Sequence, residues 1–306
     1  MPRVSVLMPV FNSAAYVEEA LASVQAQEFD DFELIVIDDG STDGSTEILK
    51  AFAAREPRMR LISRTNRGLI ATRNELLEEA SGEFIAWMDS DDLSHPARLR
   101  RLLATFNADE RLVCVGSNVE TIDPDGSILG VELYPYDHDS ICADQMRGAG
   151  FRFPSTMLRR STTMKVGSFR EPFKIGEDFD FLLRVTEHGR VGNVPETLYF
   201  YRQHLLSTVT ALGVNWPGYR DTILSLARER REGGQDRLQR GETVTIPEAK
   251  ADDWRKHVPN VLLSWAGGAL HYGDRRRAFH YTVKAIRAAP PKIAGWRFLL
   301  RLLFKP

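Results

Sequence analysis

Leu34-Ile35-Val36-Ile37-Asp38-Asp39-Gly40-Ser41-Thr42-Asp43-Gly44 opens as four consecutive apolar residues and breaks into a polar turn. A short apolar run bounded by turn residues reads as a buried strand, and Thr46 to Arg55 behind it reads as a helix. The same unit stands on either side. Val4 to Met8 is an apolar run ended by Pro9, followed by a helix over Ala14 to Gln27 with Val17, Ala20, Leu21 and Val24 on one face and Ser13 as its cap. Arg60-Leu61-Ile62 precedes a third helix near Leu69 to Ala80. Phe84-Ile85-Ala86-Trp87-Met88 is a fourth strand, stopped by Asp89-Ser90-Asp91-Asp92, and Pro96 suits the first turn of a helix through Phe106. Strands alternating with helices at this spacing predict an α/β fold, a Rossmann-like, mostly parallel sheet flanked by helices.

The pattern changes after about residue 117. Asp123-Pro124-Asp125-Gly126 is a hairpin turn, and a mixed region follows through a helix near Asp178 to Glu187 and a strand over Thr197 to Arg202. From Tyr219 the chain turns helical and basic, with loops at Gly233-Gly234-Gln235 and around Gly241 to Ala249. Ala266 to Ala289 reads as a helical hairpin bent at Tyr272-Gly273-Asp274, one repeat where a solenoid needs about three. The expected organisation is one α/β domain over 1–208, in halves 1–117 and 118–208, then a helical basic C-terminal region over 209–306.

The 306 residues, 43% hydrophobic and 27% charged, exclude disorder, collagen and coiled coil. A formal charge of −2 excludes a uniform positive field for nucleic acid, yet residues 1–200 carry −12 and residues 201–306 carry +10. Such asymmetry points to two surfaces with different partners. Two cysteines, Cys114 and Cys142, are too few for a disulfide framework or a cysteine zinc site, which suits a reducing cytosol. Met1-Pro2-Arg3 runs directly into a strand pattern, so no secretory signal is expected. The stretch His257 to Gly273 lacks Asp, Glu, Lys and Arg, but falls short of the roughly 20 apolar residues of a membrane span.

In an open parallel sheet the ligand binds beyond the carboxyl ends of the strands. The loops Pro9-Val10-Phe11-Asn12, Asp38-Asp39-Gly40-Ser41, Asn66-Arg67-Gly68 and Asp89-Ser90-Asp91-Asp92 would open on that rim, although turns are rich in such residues in any protein. The last is the most pointed. Three carboxylates within four residues repel one another until a cation or solvent relieves them, and oxygen-only ligands suit Mg²⁺ or Mn²⁺ bridging a diphosphate. Asp91 to Ser94 would also serve simply as a helix start, with Asp92 as the cap. Asp38 and Asp39, after a buried apolar strand, are acceptors suited to a base or ribose donor. Gly176-Glu177-Asp178 opens a helix, where the dipole favours acids in any case, but a carboxylate there is also a candidate base for a hydroxyl. Tyr201-Arg202-Gln203-His204-Leu205-Leu206-Ser207 offers an Arg and a His for a phosphate or a metal, or is a surface turn. No Gly-x-Gly-x-x-Gly and no P-loop sequence follows the first strand.

Taken in order, Val4 to Asn12, Ile37 to Asp43, Asn66-Arg67-Gly68 with Arg73-Asn74, Met88 to Asp92, Glu177-Asp178 and Tyr201-Arg202-x-His204-x-x-Ser207 resemble the family-2 glycosyltransferases of the GT-A fold over residues 3–208. The resemblance implies that Pro9, Phe11, Asn12 and Asp39 hold the nucleoside, and it places Arg67, Arg73 and Ser90 among the donor contacts. It makes Asp89 and Asp91 the DXD pair for Mn²⁺ or Mg²⁺, Asp178 the base, and Arg202 and His204 neighbours of the diphosphate or the metal, His204 a candidate ligand.

The implied activity is inverting transfer of a single sugar from a nucleoside-diphosphate sugar, UDP-linked, to a hydroxyl of a glycan or lipid-linked acceptor in cell-surface polysaccharide synthesis. Processive synthases carry Gln-x-x-Arg-Trp and membrane spans, and both are absent from the sequence. Rival readings are a nucleotide-sugar binding module without turnover and, less well supported, a sugar nucleotidyltransferase. The expected location is cytoplasmic, peripheral on the inner face of the cell membrane. At the chain's end Ile293, Trp296, Leu299, Leu300 and Leu303 share a helical face beside Arg297, Arg301 and Lys305, which fits either a helix lying on anionic lipid or one packed on its own domain.

Overall fold

The computed structural model describes residues 1–205, 216–247 and 254–304, excepting the side chains of Trp254 and Phe304. The chain divides into two compact units, Met1–Val119 with Leu133–Phe200 and Pro217–Pro247, and Glu120–Glu132 with Tyr201–Trp216 and Glu248–Pro306. The boundary expected at 208/209, with Leu206, Ser207, Ala249 and Lys305, lies outside the described residues.

In the first unit the strands β1 (Val4–Val10), β2 (Phe32–Asp38), β3 (Met59–Ser63) and β4 (Phe84–Trp87) lie in the order β3-β2-β1-β4 with parallel pairing throughout. β1, β2 and β4 are almost wholly buried, β3 is partly exposed with Arg60 and Ser63 open to solvent, and each is followed by a helix that returns the chain to the other end of the sheet. These helices are α1 (Val17–Gln25), α2 (Ser45–Ala53), α3 (Leu69–Glu79) and, after β5 (Leu93–Ser94), α4 (Arg98–Ala108). The sheet continues through β8 (Met157–Arg159), β6 (Leu112–Ile122) and β9 (Arg190–Arg202) to β5, with β8 antiparallel to both β4 and β6 and β9 antiparallel to β5. Around it lie α5 (His138–Gln145), a 3₁₀ turn at Phe153–Ser155, α6 (Arg160–Val166), α7 (Glu177–Thr186) and α8 (Trp216–Gly233). The core sits between sheet and helices: Leu7, Ile35, Ile37, Ile85 and Trp87 pack with Leu76, Phe153, Phe169 and Phe181. Arg230 of α8 fixes the 217–247 segment by pairing with Glu187 at 2.8 Å and with Asp236.

Three local expectations are corrected. The first strand runs through Pro9 to Val10. Pairing of β1 with β4 ends at Leu7–Trp87, so the side of Pro9 that lacks an N–H faces no further strand there. Ser13 does not cap α1 with its side chain: its carbonyl accepts from Tyr16 and Val17, while its hydroxyl lies 2.7 Å from that of Ser90. Asp92 does not cap α4, because Leu93 and Ser94 first pair with Phe200 and Tyr199 of β9. The N–H of Ala97 at the helix start instead donates to His95 Nδ1 at 3.1 Å.

The second unit holds β7 (Ile128–Glu132), which pairs with β6 through the expected hairpin turn at Gly126, and the helices α9 (Val258–His271), α10 (Arg275–Ala288) and α11 (Ile293–Phe304). Its core is Leu129, Leu262, Trp265, Ala266, Tyr281 and Ala285. Gly268 lets α9 lie flush on β7, since a Cβ there would come within 2.2 Å of the Leu129 carbonyl oxygen. Asp123, fully buried at the hairpin, accepts from Tyr281 Oη at 2.8 Å and pairs with Arg277. The expected helical hairpin is α9–α10, turned at Gly273 (φ 83°).

Candidate active site

The parallel strands all end on one edge of the first unit, and their loops are tied together there. Asn12 takes a left-handed conformation (φ 52°), which Asn tolerates better than most residues. Its N–H donates to Ser41 Oγ at 3.0 Å, and its Oδ1 accepts from the Thr42 N–H at 2.8 Å. Asp43 accepts from the Ala14 N–H at 2.9 Å and Asp38 from the Ser41 N–H at 3.0 Å, so the loops after β1 and β2 form one surface. Pro9 is buried beneath it, and Phe11 stands half-exposed at the rim.

Asp39 is buried and organises the third loop. Its Oδ1 accepts from the Arg67 N–H at 2.8 Å and from Arg64, and its Oδ2 accepts from the Gly68 N–H at 2.9 Å. Among the described residues three of about four acceptor positions on the carboxylate are thus filled, leaving one on Oδ2. Gly40 makes this turn possible: it has φ 78°, and a Cβ there would come within 2.7 Å of the Asn66 nitrogen. Arg67 extends into solvent from the turn.

The acidic loop is clamped from both sides. The Asp89 N–H donates to Tyr199 Oη at 3.1 Å, Ser90 meets Ser13, and the buried Arg98 donates to the carbonyls of Trp87 (2.8 Å) and Pro154 (2.7 Å). Burial pushes Arg98 down to about 10, still fully charged at neutral pH. Asp89 remains 28% exposed. Burial, with repulsion from Asp91 and Asp178, pushes its carboxyl up to about 6 against the pull of Arg73 and Arg152. Asp91 is partly exposed beside it.

Arg73 joins this loop to α7. Projecting from α3, it is only 5% exposed and lies over the rings of Phe153 (4.9 Å) and Phe169 (5.7 Å). Its guanidinium meets Glu177 at 2.5 Å and Asp89 at 3.7 Å. Burial opposes its charge, but Glu177, Asp89 and Asp178 outweigh that and hold it more firmly protonated than usual. Glu177 itself is pushed up to about 7 by burial, with Asp178 and Asp89 adding to the effect and Arg73 opposing it. Asp178 follows at the second position of α7, partly exposed, with Oδ1 accepting from the Phe179 N–H at 2.7 Å. The preceding Gly176 adopts φ 77° and turns the chain into the helix.

The first unit therefore brings together Pro9, Phe11, Asn12, Asp39, Arg67, Arg73, Asp89, Ser90, Asp91 and Asp178 from five segments of sequence. Arg73, expected at the donor, faces Glu177 and Asp89 from beneath. Arg202 and His204 belong to the second unit, where Arg202 is buried and donates to the Pro124 carbonyl at 2.8 Å. Among the described residues no group of three His, Cys, Asp or Glu side chains is arranged to hold a metal ion. From sequence, Ser13, Arg152 and Tyr199 have no site role, and Glu177 stands only as one of the carboxylates opening a helix. Glu177 lies inside a recognisable motif and Ser13 directly follows one, whereas Arg152 and Tyr199 carry no local signal.

Comparison with known proteins agrees with this architecture. The solved structure of S. aureus TarS 1–349 in complex with UDP-GlcNAc superposes with a TM-score of 0.60 at 19% identity, covering 93% of this chain and 91% of that one. The mannosyltransferase PcManGT from Pyrobaculum calidifontis, in complex with GDP-Man and Mn²⁺, gives 0.53 at 19% identity, covering 100% and 81%. These likenesses establish the GT-A fold. EpsE of Bacillus subtilis (strain 168) is 34% identical over 208 residues, 66% of this chain and 73% of its own length. A chondroitin synthase of Pasteurella multocida is 27% identical over 65% of this chain, which spans only 20% of that enzyme. Among the described residues no helix is long and apolar enough to cross a membrane. The family model described as glycosyl transferase family 2 matches residues 5–170, more than half of the sequence, and the chain belongs to that family.

Proposed function

We propose that the protein is a metal-dependent, inverting glycosyltransferase that moves one sugar from a UDP-sugar to a hydroxyl of a glycan or lipid-linked acceptor, in the synthesis of cell-surface polysaccharide. The observation that carries the reading is the meeting, on one sheet edge, of the Asp89–Asp91 loop, the Asp39-organised turn and the acidic start of α7, held to the loop by Arg73. The relatives support it, since TarS was solved with UDP-GlcNAc and PcManGT with GDP-Man and Mn²⁺.

In this reading residues 1–117 hold the donor and 118–208 face the acceptor. Phe11 and Asn12 line the nucleoside, with the open lone pair of Asp39 facing the base. Asp89 and Asp91 offer only oxygen, and a divalent cation relieves both the burial that chiefly raises the Asp89 carboxyl and the repulsion that Asp91 adds to it. A bound Mg²⁺ or Mn²⁺ supplies charge neutralisation for the departing diphosphate. Ser13 and Tyr199 keep the loop in place while charge develops, so little reorganisation is needed at the moment of reaction. Asp178 accepts the acceptor's hydroxyl proton as its oxygen attacks the anomeric carbon. A base on the face opposite the leaving group gives inversion in a single displacement.

The test is release of nucleoside diphosphate from a panel of UDP-, GDP-, dTDP- and CDP-sugars with Mn²⁺ or EDTA, with the anomeric configuration of the product read by NMR. Turnover of one donor class, lost with EDTA and giving the inverted anomer, is expected. A retained anomer would overturn the mechanism, and binding without turnover of any donor would make the protein a binding module.

A further inference from the structure

The helix α11 buries one side and leaves another bare. Gly295 packs so closely on Ile286 that a Cβ would come within 2.8 Å of it, and Leu302 joins Ala269 and Ala278 with Phe298 against them. Packing on its own unit, one of the two alternatives read from the sequence, is therefore present. The other side is apolar as well. Ile293 is 65% exposed, Trp296 49%, Leu300 55% and Leu303 59%, at i, i+3, i+7 and i+10, one stripe along the helix. Leu299 is only partly exposed and lies off that stripe. Arg297 and Arg301, both exposed, flank it. Residues 254–304 carry ten Lys or Arg against one Asp, a net of +9.

We propose that this face of α11 docks in the plane of an anionic lipid bilayer, with Ile293, Trp296, Leu300 and Leu303 entering the interface and Arg297 and Arg301 meeting lipid phosphates. The helix is about 18 Å long, too short to span a bilayer and long enough to lie on one. The charge selects the occupant. A second copy of this chain would bring the same Arg residues and the same +9 segment against themselves, whereas an anionic surface neutralises them and attracts juxtaposed basic groups. The proposal goes beyond the transferase reading, and its test reads binding and not turnover, so either can fail without the other.

The full chain would be sedimented with vesicles of phosphatidylglycerol and phosphatidylethanolamine, and in parallel with phosphatidylcholine vesicles. Sedimentation with the first only, released by 1 M salt, is expected. Trp296→Asp with Leu300→Glu should lower it by at least about tenfold, and Arg297→Gln with Arg301→Gln by about fivefold for each charge. All four side chains are exposed, so the variants should melt with the parent and keep its donor turnover. Wild type that stays in the supernatant, or variants that sediment equally, would overturn the proposal. So would a wild-type dimer that Leu300→Glu dissociates without any vesicle binding, which would assign the face to a second copy.

Discussion

Asp178→Asn is expected to lower glycosyl transfer by about 10²- to 10⁴-fold, the usual contribution of a positioned general base, while leaving nucleotide affinity intact. The substitution is nearly isosteric. The Phe179 N–H, which Asp178 Oδ1 accepts at 2.7 Å, finds the Asn carbonyl oxygen in the same place, so the start of α7 keeps its shape. Only the charge and the basicity go. That charge raises the carboxyls of Glu177 and Asp89, so its removal relieves the acidic loop and gives no reason for weaker donor binding. Single-turnover rates and calorimetric nucleotide binding on the same preparation separate the two effects. Loss of nucleotide binding together with transfer would make Asp178 a donor ligand and leave the base unassigned.

The largest stability effect should come from Arg73→Met. Methionine fills much of the space among Phe153, Phe169 and Trp87, but it leaves Glu177 buried without its cation and removes the counter-charge from Asp89. Breaking a buried pair from one side costs about 3–5 kcal/mol. At about 2–4 °C for each kcal/mol the melting temperature should fall by roughly 10 °C. The effect should depend on pH with a definite sign. Both carboxyls already titrate above their unfolded values, at about 7 for Glu177 and about 6 for Asp89, so the folded state holds protons that the unfolded state has released. Their destabilising contribution is complete above about pH 7 and fades as pH falls towards the ordinary carboxylate range near 4. Without Arg73 both move higher still, so the variant should lose more stability at pH 8 than at pH 5.5. Equal losses at the two pH values would show that Arg73 acts by packing on the aromatic rings and not by charge.

The first four strands and their helices are legible because each parallel strand carries a short apolar run, from Leu34 to Ile37 in β2 down to Leu61 and Ile62 in β3, and each turn is punctuated by Asp, Gly, Asn or Ser. Where the structure depends on distant partners, the signal fades. The strand β9 begins at Arg190, seven residues before the expected Thr197, because Gly192, Asn193 and Pro195 are poor strand formers by themselves. Tertiary hydrogen bonds override that preference: Asn193 donates to the carbonyls of Pro135 (2.8 Å) and Gly150 (3.1 Å), and Asn118 donates to that of Pro195 (2.8 Å). The two residues of β5 are hidden behind the acidic loop in the same way, because only their pairing with β9 makes them a strand.

At the site, the individual carboxylates could be read as candidates but their wiring could not. Arg73 and Glu177 are 104 residues apart, and no spacing along the chain announces that pair. Tyr199, whose phenol accepts the Asp89 N–H, reads locally as one more strand residue. Asp39 reads as a ligand residue, whereas most of its acceptor capacity serves the turn at Arg67 and Gly68. Polar residues that build a site from within look the same in sequence as those that face its substrate.

On the proposed reading this edge binds a nucleoside diphosphate through a divalent cation on the acidic loop. The deciding measurement is the thermal shift that UDP, GDP, dTDP and CDP produce with Mn²⁺, with Mg²⁺ and with EDTA, on wild type and on Asp91→Ala. Ligand at 100 times its dissociation constant adds about 2.7 kcal/mol, a shift of several degrees. A shift with UDP that vanishes with EDTA and in Asp91→Ala is the predicted result, and an equal shift in EDTA, or none with any nucleotide, would contradict the claim.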